Sequence, residues 1–262
     1  MRPALPVAAA VAGLLAAGCG APLEVSQSPL VSVDPTSAPT STPRPTPEPE
    51  PTLADCAPGA PCPILPGEHS TNVLGARTLT LTVESEWHAM VNPDARSVAM
   101  GHMAAPRAFF TAFATTGEIF SDSCDLELTA QVPPTPNGIL EWLAQHPELD
   151  VSEPQATVLG GLPGFRVEMT AMKAEPCRGA GVDPTEILLF SLPGGDYHQV
   201  FDQGYAVLFA LDAGSEVVIV TVDGALQDDR FDFLRLVEPV FDSIEFTSRP
   251  DAARWHTLRT LV

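Results

Sequence analysis

Lysine is almost missing from these 262 residues. Lys173 is the single one, and lysine plus arginine total 13 against 33 aspartates and glutamates, a formal charge of −20. Phosphate backbones are held by clustered lysine and arginine, so nucleic acid is excluded as a partner. A polybasic membrane-docking surface is excluded on the same ground. A phosphate-cradling G-x-x-x-x-G-K-[ST] loop cannot be written with this lysine, and neither a G-x-S-x-G elbow nor an H-E-x-x-H pair occurs. Aromatics make up only 6% of the chain, with two tyrosines, Tyr197 and Tyr205. What the chain has is 45% hydrophobic residues, enough for a packed core, and a length compatible with one or two domains. It also has 28 prolines, unevenly placed.

The start reads Met1-Arg2-Pro3-Ala4-Leu5-Pro6, then a run of Ala, Val and Leu from Val7 to Ala17, then Gly18-Cys19-Gly20. One positive charge, a short apolar stretch and small residues at its end describe an export signal over residues 1–18. The stretch is shorter than the ~20 residues of a spanning helix. Its end, Leu15-Ala16-Ala17-Gly18-Cys19, resembles the lipobox of bacterial lipoproteins. Ala16 stands where leucine is commoner. The resemblance implies that Cys19 becomes the first mature residue and carries a diacylglycerol thioether and an amide-linked acyl chain. One acyl chain holds a protein to a bilayer only marginally, whereas two or more anchor it stably. The expected location is the extracytoplasmic face of the cell membrane, with the membrane itself a partner through the lipid. Ordinary cleavage and free secretion is the competing outcome.

Residues 19–55 change composition. Ser37-Ala38-Pro39-Thr40-Ser41-Thr42-Pro43-Arg44-Pro45-Thr46-Pro47-Glu48-Pro49-Glu50-Pro51-Thr52 carries proline at nearly every second position in its later half. Proline fixes φ and removes the backbone donor, so neither helix nor sheet is expected. A disordered, largely polyproline II stalk is, and at ~3.1 Å per residue it could reach on the order of 100 Å. Its Ser/Thr-Pro mixture could accept O-linked sugars.

Five cysteines occur, at 19, 56, 62, 124 and 177. With Cys19 assigned to lipid, four remain, and an even count in an exported chain reads as two disulfides. Three pairings are possible. The proline and glycine of Ala57-Pro58-Gly59-Ala60-Pro61 favour a local bridge between Cys56 and Cys62, which leaves Cys124 for Cys177. No C-x₂-C pair supports a zinc site.

Residues 56–249 read as one globular domain, followed by a tail over 250–262. Thr78 to Val83 alternates with period two and predicts a strand with one apolar face. Trp87 is expected at the sheet edge, and Ser97–Met100 and Phe109–Thr115 are weaker strands. Thr135-Pro136 opens a helix that buries Ile139, Leu140 and Leu143 and closes at Pro147. Val151–Leu159 and Phe165–Ala171 predict strands joined by Gly160-Gly161-Leu162-Pro163-Gly164. Glu186–Leu192, Tyr205–Leu211 and Glu216–Val222 predict further strands. Val217-Val218-Ile219-Val220 has no polar position, so its strand should be covered on both faces. A last helix is expected from Gln227 to Val237, buried through Phe231, Leu234 and Val237 and ended or kinked by Pro239. Ser243–Thr247 predicts a closing strand. Hairpins and two helices together predict an α+β fold, a largely antiparallel sheet covered by helix layers.

Three stretches carry a family resemblance. Glu141-Trp142-Leu143-Ala144-Gln145-His146-Pro147-Glu148-Leu149-Asp150-Val151 is followed by Val158-Leu159-Gly160-Gly161-Leu162-Pro163-Gly164-Phe165-Arg166-Val167. With Phe233-Leu234-Arg235-Leu236-Val237-Glu238-Pro239-Val240-Phe241-Asp242-Ser243-Ile244-Glu245-Phe246, they are similar to a pattern in uncharacterised exported proteins of high-GC Gram-positive bacteria. The resemblance spans most of residues 65–248 and implies a PsbP-like α/β/α sandwich. It implies no activity, because these motifs mark turns and core faces.

No cofactor is indicated. The histidines at 69, 88, 102, 146, 198 and 256 follow no ligand spacing, so no metal site is expected and surface or capping roles are the default. Asp122 and Asp125 lack a calcium-loop pattern, and Asp228-Asp229 reads as a charged helix start. The distinctive polar-aromatic segment runs Tyr197-His198-Gln199-Val200-Phe201-Asp202-Gln203-Gly204-Tyr205. Tyr197, His198, Asp202 and Tyr205 are the candidate binding loop, against an ordinary hairpin whose tyrosines pack on the sheet rim. The expected function is a non-catalytic, lipid-anchored binding module for an envelope protein or small ligand. A hydrolase without a recognisable motif and a purely structural envelope protein are the alternatives.

Overall fold

The structure is a computed structural model. It describes residues 53, 56, 60–85, 87–102, 105–172, 177, 182–183, 185–226 and 230–248, without the side chains of 105–108, 225–226 and 230–233. The expected export signal, Cys19, the proline-rich stretch, Asp228-Asp229 and the tail over 250–262 lie outside the described residues.

In chain order the strands are β1 (Cys62–Ile64), β2 (Gly67–Thr71), β3 (Arg77–Val83), β4 (Trp87–Asn92), β5 (Ser97–His102), β6 (Ala105–Thr115), β7 (Glu118–Phe120) and β8 (Thr129–Gln131). After helix α1 (Pro136–Leu143) come β9 (Leu149–Val151), β10 (Gln155–Leu159), β11 (Leu162–Ala171), β12 (Glu186–Leu192), β13 (Asp196–Phe201), β14 (Gly204–Asp212) and β15 (Val217–Leu226). Helix α2 (Arg230–Ser243) and β16 (Glu245–Ser248) close the described chain. A nine-stranded sheet runs β1-β4-β5-β6-β15-β14-β11-β10, with β9 also on β11. Smaller sheets follow the orders β13-β12-β7-β8 and β16-β3-β2. Their pairings are antiparallel, as hairpin connections require.

Strand β15 shows why the sheet sits in the middle. Val218, Val220 and Val222 enter one apolar layer with Leu79, Leu81 and Val83 of β3 and Val237 and Val240 of α2. Val217 and Ile219 enter the other with Ile139, Leu140 and Leu143 of α1 and Ile187, Leu189 and Phe190 of β12. A strand with period-two side chains and no polar position between 217 and 220 must be covered twice, and it is. Each fully buried Val, Leu or Ile contributes about 1.5–3 kcal/mol relative to exposure. The fold is therefore sheet-dominated α+β. Full helix layers were expected; instead a small sheet and one helix contribute to each apolar layer. The reason is local: β3 alternates threonine with apolar residues and β12 is a short apolar run closed by Pro193, patterns that suit strands rather than helices.

Thr135 caps α1, its Oγ1 accepting from the Gly138 N–H at 3.1 Å. The helix ends at Leu143, before Pro147. The expected strand over 151–159 is two strands, because Pro154 offers no ladder donor. The β10–β11 turn is tighter than expected. Leu159 pairs with Leu162 across Gly160 (φ +57°) and Gly161 (φ +83°), the left-handed pair of a two-residue hairpin. Pro239 does not end α2, which continues to Ser243. Val240 and Ile244, both buried, hold the last turn down.

Two disulfides staple the domain. Cys56 pairs with Cys62 (Cα–Cα 5.7 Å) and Cys124 with Cys177 (5.2 Å).

Candidate functional site

The residues after β12 had been expected as a loop or hairpin. They form β13, which pairs antiparallel with β12 across Pro193–Gly195 as a hairpin in the four-stranded sheet. At Asp202-Gln203 the chain leaves that sheet and enters β14 of the central one. Gln203 takes the left-handed conformation (φ +59°) at this corner. Between β13 and the central sheet lies a cleft of about 330 Å³.

Strand register builds the cleft floor. Thr111 pairs with Thr221 and Phe109 with Asp223 across β6 and β15. Ala99 pairs with Thr111 across β5 and β6, and Met90 with Ala99 across β4 and β5. Side chains two apart share a face. Thr221 and Asp223 therefore continue the inward face of Val217 and Ile219, and polar groups replace apolar ones toward the end of β15. Met90, Asn92, Ser97, Phe109, Thr111 and Asp223 line the floor, while Asp196, Tyr197, His198, Gln199 and Phe201 form the wall.

His198 and Asp223 are 5% and 3% exposed. His198 Nε2 lies 3.5 Å from Asp223 Oδ2. The fully buried Thr221 hydroxyl donates to the same oxygen at 3.2 Å and lies 3.4 Å from the imidazole. The His198 ring packs on Phe113 at 5.1 Å. Burial disfavours charge on both groups, pulling His198 down to about 4 and pushing Asp223 up to about 7, the latter opposed by the Thr221 hydrogen bond. At the rim, Asp196 Oδ2 accepts from Asn92 Nδ2 at 2.9 Å and its Oδ1 from the Tyr197 N–H at 2.9 Å. Burial, then Glu186 and Asp196, raise the Tyr197 phenol.

The structure divides the candidate binding segment. Tyr197 and His198 line the cleft. Tyr205 is 2% exposed and belongs to the layer on the other side of the sheet. Asp202 sits at the corner, its backbone N–H donating to the Thr185 carbonyl at 2.7 Å. Asp223, Thr111 and Asn92 were not singled out from the sequence. The signal for Asp223 was present: in Val217 to Asp223, two alternate positions of an otherwise apolar strand turn polar.

Among the described residues the remaining histidines do not converge. His69 bonds the Leu65 carbonyl at 2.7 Å, His102 bonds Ser85 Oγ at 2.8 Å, and His146 stacks edge-on with Trp142. Asp122 and Asp125 accept from the backbone N–H groups of Cys124 and Glu127, each at 2.8 Å, as loop-closing turns. Among the described residues no three His, Cys, Asp or Glu side chains gather as a metal site. No described helix is long and apolar enough to cross a membrane.

No family model matches the chain. No curated protein matches it either. Among solved structures it is similar to the crystal structure of LpqN, a protein involved in cell envelope biogenesis of Mycobacterium tuberculosis. That likeness covers 76% of this chain and 99% of LpqN at 14% identity, with a TM-score of 0.26. Superposition at that level carries no argument about fold or activity, so the functional reading rests on the chain's own residues.

Proposed function

We propose that the chain is an exported, lipid-anchored binding module, held outside the cell membrane through Cys19 on a proline-rich stalk, that takes an envelope partner or small ligand in the cleft beside His198 and Asp223. Cysteine pairing carries the reading. Of five cysteines, four are joined in two bridges, and the one left over is the cysteine of the lipobox-like sequence. Disulfides persist in oxidising, extracytoplasmic compartments, which supports export. The central antiparallel sheet with a helix in each layer supports the finer PsbP-like reading of the fold.

Binding is favoured over hydrolysis by the site's chemistry. The hydroxyl set beside His198 and Asp223 belongs to Thr221, which is sealed beneath the sheet surface and already donates to the carboxyl. A nucleophile must be both activated and reachable by substrate. This one is not reachable.

The test is intact-mass analysis and fractionation of the wild-type and Cys19→Ala chains in a host that lipidates exported proteins. The expected wild type is membrane-bound, lacks residues 1–18, carries acyl mass at Cys19 and gains the mass of two reduced bridges on reduction. The Cys19→Ala chain should leave the membrane fraction. A soluble wild-type product with Met1 retained would overturn the proposal.

A further inference from the structure

We infer that the cleft between β13 and the central sheet binds a small organic cation, an ammonium or guanidinium carried on an apolar or aromatic body. This deepens the function proposed above and rests on its reading of the cleft as the binding site. Three features of the cleft point the same way.

The first is charge. Two carboxyl side chains, Asp196 at the rim and Asp223 at the floor, line the cleft, and no lysine or arginine does among the described residues. An anion would meet both carboxyls, and no cationic side chain among the described lining residues would neutralise it.

The second is the state of Asp223. It is buried in the floor, and its hydroxyl and imidazole neighbours stand at 3.2 and 3.5 Å, the long end of hydrogen-bond range. A buried carboxylate is costly unless it is paired and hydrogen-bonded. His198, packed against Phe113 and kept neutral by burial, does not supply the positive charge. A cationic head entering the cleft would supply it, with a charge-assisted hydrogen bond stronger than either existing contact.

The third is the lining. Phe109, Tyr197 and Phe201 present rings, and Met90 and Phe109 are 41% and 36% exposed, so apolar surface is left uncovered beside the carboxyls. Aromatic faces attract cations, and the thioether and rings suit an apolar body. A volume of about 330 Å³ fits a ring with a short amine-bearing chain. It lies at the small end of ligand pockets, roughly 300–1,000 Å³.

The test uses the purified full chain in detergent and three probes that share a phenyl ring and differ in head group: 2-phenylethylamine, 2-phenylethanol and 3-phenylpropionate. Binding is read by calorimetry and by ligand-observed NMR at pH 8, above the value of about 7 to which burial pushes Asp223, so that its carboxyl is ionised. The amine should bind at least about tenfold more tightly than the alcohol, and the carboxylate more weakly still. Asp223→Asn should cost the amine about tenfold and leave the alcohol unchanged, with folding checked by circular dichroism. Phe109→Ala, at a half-exposed position that does not endanger the fold, should weaken the amine about threefold. Equal binding of the three probes, a preference for the carboxylate, failure of the amine to bind, or an amine affinity indifferent to Asp223→Asn would each overturn the inference. Alcohol binding without an amine preference sinks the ligand class and leaves the binding-module reading intact. A wild type that fails to reach the membrane sinks the anchor and leaves the cation inference standing.

Discussion

Replacing Asp223 by asparagine should make the domain progressively less stable than wild type as the pH falls, and the slope follows from counting protons. In the folded wild type, His198 titrates at about 4 and Asp223 at about 7, so between those values the pair holds one proton. The count is the same whichever of the two carries it. Unfolded, with ordinary values of 6.5 and 3.8, the pair also holds one proton between those values, on the imidazole. Between about pH 4 and 6.5 folded and unfolded states match, and the pair adds no pH dependence. Asparagine removes one half of this compensation. His198 then keeps a folded value depressed by burial, so below 6.5 the unfolded imidazole binds a proton that the folded one refuses. Stability is lost as pH falls, by about 1.4 kcal/mol per unit, on the order of 3 kcal/mol between pH 6.5 and 4.5. His198→Asn leaves the opposite half. Asp223, raised by burial, is protonated when folded and ionised when unfolded, so stability relative to wild type falls as pH rises from about 4 to 6.5, above which wild type carries the same dependence. Urea denaturation of the three proteins from about pH 4.5 to 7.5 measures this, and titrations elsewhere in the chain cancel in the differences. If both variants differ from wild type by an amount constant to within about 0.5 kcal/mol across that range, the proton count assigned to this pair is wrong.

Two further outcomes test the frame that holds the site. At Gly164, a strand position on β11, an added Cβ would press into the backbone carbonyl of Ala210 on β14. Gly164→Ala should therefore cost about 1–3 kcal/mol in chemical denaturation, and an unchanged midpoint would refute this close approach of the strands. Replacing Cys124 and Cys177 together by alanine removes a crosslink spanning 53 residues. The chain-entropy cost is about 4 kcal/mol, read as a shift in urea midpoint between variant and wild type without reducing agent; a loss below about 1 kcal/mol would deny the bridge a stabilising role.

Strong periodicity made much of the fold legible. Thr78–Val83, Glu186–Leu192 and Val217–Val222 state their burial in their own sequence, and Thr135-Pro136 states where α1 begins. Strands β1, β7 and β8 were not legible. Each has three residues, too few for a period to show; β1 and β7 are held by pairing with strands distant in sequence, β4 and β12, and β8 pairs with β7. The covering of the sheet was misread for a related reason. An apolar face tells that something must lie against it, and nothing in the face itself says whether the cover is a helix or another sheet.

The site was half legible, and the division has a physical origin. Tyr197 and His198 stood out by type, in a chain poor in aromatics. Asp202 and Tyr205 were grouped with them by proximity in sequence, but the chain changes sheets at Asp202-Gln203 and then turns Tyr205 to the opposite layer. What replaces them across the cleft is Asp223, 25 residues after His198 and brought beside it by packing of one sheet on another. A buried acid at the end of an apolar strand is a local defect in the pattern that folds the strand. Burying it is unfavourable unless tertiary neighbours or a ligand compensate. His198 and Thr221 give partial compensation at 3.5 and 3.2 Å. The unspent affinity of that carboxyl is what the cleft has to offer a cation, so the place where the period-two pattern fails is also the place where a function is to be sought.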